Sequence, residues 1–83
     1  MIMTEFSTLS DIFGRAAWPL IEEINEVVVF DIDANNRSCT IILNGHEYGV
    51  KREHNHKWHV VTIGHYWIFG TQWELLAWIG DRL

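Results

Sequence analysis

Apolar residues recur along this chain with two different periods, and the changes of period mark its elements. Leu9, Ile12, Phe13, Ala16, Ala17, Leu20, Ile21 and Ile24 fall at the i, i+3, i+4, i+7 spacing of one helical face. Ser7 or Ser10 offers an N-cap oxygen, and Asn25 is a stop signal. Pro19 removes one backbone donor without disturbing the periodicity, so it either kinks one helix or opens a second in its first turn.

From Glu26 the period becomes two. Glu26–Asp33 is rich in β-branched residues, and Ala34-Asn35-Asn36-Arg37 reads as a turn. Ser38–Leu43 and His46–Glu53 flank Asn44-Gly45, a dipeptide suited to the positive φ values of a type I′ hairpin turn. That turn predicts the pairs Leu43–His46, Ile41–Tyr48 and Cys39–Val50 on the core face, with Ser38, Thr40, Ile42, Glu47, Gly49 and Lys51 on the wetter one. Trp58–Ile63 reads as a further strand, Gly64-His65 as a turn, and Tyr66–Phe69 as a short fifth strand. Of Tyr66/Ile68 and Trp67/Phe69, one pair faces in and the other out.

The period then returns to that of a helix. Thr71-Gln72-Trp73-Glu74 is a capping box. Beyond it, Leu75, Ile79, Leu83, Leu76, Gly80, Trp73 and Ala77 sweep an arc of about 200°, where a core-facing stripe needs about 100°. Trp73 is expected in the core beside Leu76. Trp78 falls outside the arc between Glu74 and Arg82 and is expected at the surface, with Arg82 able to stack on its indole. The pattern predicts a single α+β domain over residues 1–83. It has an N-terminal helix kinked or broken at Pro19, an antiparallel β-meander of three to five strands, and a C-terminal helix packed on one face.

Charge adds an asymmetry. The net charge is −5. Residues 1–36 hold seven acids against Arg15, whereas residues 37–83 hold four acids against five bases. An acidic half disfavours direct contact with nucleic acid and suits a basic surface on a protein partner. Lys51, Arg52 and Lys57 interleave with Tyr48 and Trp58 in the manner of a stacking platform, but the overall negative field opposes phosphate binding. No apolar stretch approaches the roughly 20 residues of a membrane span, and the first residues lack the features of a signal peptide. With Cys39 as the only cysteine, a cytoplasmic location is expected.

Candidate chemistry is sparse. All five histidines, His46, His54, His56, His59 and His65, lie within twenty residues. In extended backbone His54 and His56 would share a side, as paired metal ligands must, but no familiar metal spacing is present. Their joint protonation would take the formal charge from −5 to 0 between about pH 7 and pH 5. There is no phosphate-binding loop and no nucleophile elbow. No catalytic residue, metal ligand or cofactor is therefore assigned, and a non-enzymatic binding domain is expected.

Two patches are candidates for the binding surface. One is acidic: Glu22, Glu23 and Glu26 after the first helix, with Asp31 and Asp33 on one side of the first strand. The other is aromatic: Trp67, Phe69 and Trp78, of the residue types that dominate binding hot spots. In size, acidity and helix–strands–helix order the chain resembles several small phage-encoded inhibitors of bacterial defence, some anti-CRISPR proteins among them, a likeness carried by no specific motif. It implies a steric inhibitor or adaptor that occupies a basic surface on a larger host protein. The alternatives are a histidine-rich metal-binding or hydrolytic domain and a homodimer through the C-terminal helix.

Overall fold

The computed structural model describes residues 3–83, and side chains from Ser7 onward. Two short helices come first, α1 (Met3–Phe13) and α2 (Ala17–Glu22). Five strands follow, β1 (Val28–Asp33), β2 (Ser38–Leu43), β3 (His46–Arg52), β4 (Trp58–Thr62) and β5 (His65–Phe69), and then α3 (Gln72–Asp81). The strands form one antiparallel sheet in the order β1-β2-β3-β4-β5. The expected α+β meander is present in full, with all five strands.

The Asn44-Gly45 turn sets the register as its chemistry demands: Asn44 and Gly45 lie at φ 51° and 82°, and Leu43, Ile41 and Cys39 pair with His46, Tyr48 and Val50. A second two-residue turn, Ile63-Gly64, joins β4 to β5, one residue earlier than the pattern indicated. Gly64 there takes φ 81°.

The N-terminal segment is two helices, with Pro19 in the first turn of the second as one of the two alternatives expected, and the break itself falls at Gly14. Gly14 adopts φ 107°, which strains any residue with a Cβ. Pro19 sits in the first turn of α2, where its missing N–H leaves no bond unmade. Ser7 and Ser10 lie within α1 and cap nothing; the Ser10 carbonyl accepts from the Gly14 amide at 2.9 Å. The cap of α2 comes from the far end of the chain. Gln72 Oε1 accepts from the amides of Ala16 and Ala17 at 3.2 and 3.0 Å. A Cβ on Gly14 would stand 2.8 Å from both Cβ and Cδ of Gln72, so the glycine and the glutamine interlock.

The core lies between the helices and one face of the sheet. Leu9, Ile12 and Phe13 of α1, Ala17, Trp18 and Ile21 of α2, and Leu75, Trp78 and Ile79 of α3 bury against Cys39, Ile41, Leu43, Tyr48, Val50, Trp58 and Val60. Trp58 Nε1 donates to the Ile12 carbonyl at 2.7 Å, tying β4 to α1. All three helices are on this side. Among the described residues, nothing covers the other face.

α3 is turned about its axis from the expected phase. Trp78 is only 7% exposed, while Trp73 is 52% exposed. Its buried face is Leu75, Trp78 and Ile79, at i, i+3 and i+4, with Arg82 beside it. The Arg82 guanidinium lies 4.3 Å above the Trp78 ring and 5.0 Å from that of Trp67. A charge taken as a marker of the polar side in fact stacks on the indoles and closes the core. The cap forms, but Glu74 reaches back to the Thr71 hydroxyl and not to its backbone amide. The Thr71 hydroxyl accepts from the Glu74 amide at 3.2 Å and donates to the Glu74 carboxylate at 3.1 Å.

Candidate functional site: the uncovered face of the sheet

The registers align the outward side chains into two rows, each crossing all five strands. One row runs Phe30, Thr40, Gly49, Val61, Tyr66, and the next runs Asp33, Ser38, Lys51, His59, Ile68. Val61, Tyr66 and Ile68 are about half exposed, as is Val28 at the start of β1. Ile63, at the tip of the β4–β5 turn, is 97% exposed. The chain's accessible area, 5237 Å², matches what a compact monomer of 9.8 kDa has by size scaling, about 5,200 Å². Four of the eight exposed large apolar side chains among the described residues, Val28, Val61, Tyr66 and Ile68, share this face, while Leu20, Trp73 and Leu83 are exposed elsewhere.

Gly49 is at the middle of the central strand, and its missing side chain leaves a hollow. A Cβ there would come within 3.2 Å of Val61 Cγ1. The resulting groove, about 360 Å³, has Asp31, Thr40, Lys51, Glu53, His59 and Tyr66 around it. Tyr66 OH and His59 Nδ1 are hydrogen-bonded, and Glu53 Oε2 lies 3.9 Å from both His59 Nδ1 and Lys51 Nζ. Polar groups of both signs thus ring an apolar floor. The shape suits contact with another protein surface better than enclosure of a small molecule.

Asp31 reaches this face through a bulge. The β1–β2 register shifts between Phe30 and Asp33, and Asp31 takes φ 52° as the extra residue. Asp31 and Asp33 thus lie on one side of β1 as expected, but they share it with Phe30 because the bulge breaks the alternation. Asp33 serves the following turn. Its Oδ1 accepts from the amides of Asn35 and Asn36 at 3.0 and 3.2 Å, and its Oδ2 from Asn36 Nδ2 at 2.7 Å. These bonds, the Asn36 side chain first, hold its carboxyl below the usual 3.8.

The acidic patch is split in two. Glu22, Glu23 and Glu26 are exposed where α2 leads into β1, and no ion pair engages them among the described residues. Asp33 is at the other end of β1, five residues or roughly 16 Å beyond Val28. The aromatic patch is also revised. Trp78 is in the core and offers no anchor to a partner. Trp67 and Phe69 are half-buried on the helix side, packed around Trp78 with ring centroids 5.1 and 6.0 Å away. The outward pair is Tyr66 and Ile68.

Other expectations meet the same geometry. Tyr48 and Trp58 are buried on the core face, so they form no stacking platform. Arg52 lies 4.6 Å over the Trp58 ring and donates to the Asp11 carbonyl at 2.9 Å, which occupies it internally. His54 and His56 sit in a tight turn with His56 at φ 64°, so the extended spacing that would aim both one way is absent. Among the described residues, no group of three His, Cys, Asp or Glu side chains is arranged to hold a metal ion. Cys39 is buried on the core face, and burial pushes its thiol up to about 12. No described helix is long and apolar enough to cross a membrane.

The residues missed in the sequence, Val61, His59, Tyr66 and Ile68, carried a usable signal. Extending the Asn44-Gly45 register through Lys51 to β4 and β5 places all four on one face. The architecture is an open-faced α+β meander with its helices on one side. No protein-family model, no characterised protein and no solved structure matches this chain.

Proposed function

We propose that this chain is a protein-docking domain, and that the uncovered sheet face is its working surface. One observation carries the reading: three helices crowd one side of the sheet while Val28, Val61, Tyr66 and Ile68 stand half exposed on the other. The unpaired Glu22, Glu23 and Glu26 favour a basic or mixed partner surface, steering approach more than holding the complex. A body of 34 × 30 × 22 Å docked by this face would cover a patch of standard interface size on a larger protein. Its mode of action would be occupancy, as an inhibitor or adaptor that denies that patch to another ligand.

Affinity capture with three forms of the chain tests the reading. The wild type and Trp73→Ala are expected to retain the same partner, whereas Val61→Lys/Ile68→Lys, folded by circular dichroism, loses it. Retention by the double-lysine form would remove the sheet face from consideration. Reversing the charges of Glu22, Glu23 and Glu26 should slow association and flatten its salt dependence.

A further inference from the structure

The two edges of the sheet are built differently. β1 is interrupted by the bulge at Asp31 and ends on Asp33, devices that discourage a further strand. β5, His65-Tyr66-Trp67-Ile68-Phe69, has an unbroken register with β4 and carries no Pro, Lys, Asp or Glu. The two-residue Ile63-Gly64 turn makes Thr62–His65 a hydrogen-bonded pair. Alternation along the ladder makes Val60–Trp67 and Trp58–Phe69 the same. The amide and carbonyl of Tyr66 and of Ile68 therefore point away from β4. Among the described residues, no other backbone hydrogen bond engages them.

We infer that this edge pairs with a second copy of the chain, β5 against β5 in antiparallel fashion, giving one continuous ten-stranded sheet. The pattern is self-complementary. Outward groups at positions 66 and 68 are symmetric about Trp67, so a two-fold axis beside Trp67 sets Tyr66 of each copy opposite Ile68 of the other. Four hydrogen bonds close the pair, and the exposed Tyr66 and Ile68 side chains meet their counterparts across the seam. The strand displays no charge with which to select a different partner. Repulsion from the acids of β1 is weak there, because they lie four strand spacings away. That distance is about 19 Å, against a screening length of about 8 Å at physiological salt. Arg82, stacked on Trp67 and Trp78, brings one positive charge per copy toward the axis. One strand pair is a small interface, so the association is of the transient class. The inference does not depend on the docking function proposed above, although pairing would double the open face.

Sedimentation equilibrium over a concentration series, with amide hydrogen exchange on the same samples, tests the pairing. The wild type should move from 9.8 kDa toward twice that mass, with exchange at Tyr66 and Ile68 slowing in step. Ile68→Pro removes an outward amide without touching the β4–β5 ladder and should remain a monomer. If that variant fails to fold, exchange in the wild type decides. A single-chain mass at every concentration overturns the pairing. So does a dimer whose Tyr66 and Ile68 amides exchange as in the monomer, or an Ile68→Pro form that dimerises as the wild type does.

Discussion

Replacing Gly14 with alanine loads the joint that holds both ends of the chain against the sheet. Two terms add. The positive φ of 107° costs a residue with a Cβ about 1–2 kcal/mol. The new methyl also stands 2.8 Å from Gln72 Cβ and Cδ and closer still to its Oε1, so the glutamine must leave. Its departure forfeits bonds to the Ala16 and Ala17 amides, a helix cap worth about 1–2 kcal/mol. The expected loss is about 3 kcal/mol, from a total that for a chain of this length is about 4–12 kcal/mol. Urea unfolding followed by tryptophan fluorescence measures it as a lower midpoint at unchanged slope. A double-mutant cycle separates the terms. Gln72→Gly alone should cost about 2 kcal/mol, through the lost cap and the helical glycine. On that background Gly14→Ala should cost only the backbone term, about 1–2 kcal/mol. A loss under about 1 kcal/mol for Gly14→Ala alone, or strictly additive effects, would refute the interlock.

Trp78→Ala should destabilise by about 3–5 kcal/mol through the cavity it opens, whereas Trp73→Ala should stay within about 0.5 kcal/mol; thermal melts of the pair check the phase of α3. The Cys39 thiol should resist alkylation in the native protein and react at once in denaturant. Its ionisation is held off from the usual 9.0 to about 12, so stability attributable to the neutral thiol is intact below pH 9 and declines as pH rises toward 12. Cys39→Ala should lack that alkaline decline in a pH series of denaturation midpoints. For Asp33 the sign is opposite. Its lowered folded value makes the contribution complete above 3.8 and lost as pH falls through it, so the gap between wild type and Asp33→Ala should close in acid.

Local chemistry was legible in this sequence wherever neighbours in the chain decide the outcome. Asn44-Gly45 dictates its own turn, and with it the faces of β2 and β3. Thr71 and Glu74 announce the start of α3 because cap and capped amide are three residues apart. The failures are all places where distant residues decide. Pro19 marks the first turn of a second helix, as the pattern allowed, but the break at Gly14 is packed against Gln72, 58 positions away. The phase of α3 follows from an aromatic cluster of Tyr48, Trp67, Phe69 and Trp78 roofed by Arg82. A wheel weighted by hydropathy assigns Arg82 to solvent and so rotates the helix. The surplus of apolar residues was visible in composition, but its location was not. Half of its exposed part lies on the sheet face, because all three helices take the other side. Asp31 shows the same limit, since a bulge inverts parity without any glycine to mark it.

Each strand in this sheet pairs with the one next to it in sequence, so hairpins of 12 to 17 residues zip in series with little entropy lost to loop closure. Such chains reach their native topology quickly. The clasp between Gln72 and the amides of Ala16 and Ala17 closes a loop of more than fifty residues, so its closure costs more entropy than any of these hairpins and is expected to come after them. A nascent chain would thus present a sheet covered on its helical side by α1 and α2 alone, with Tyr48, Trp67 and Phe69 unroofed until α3 emerges.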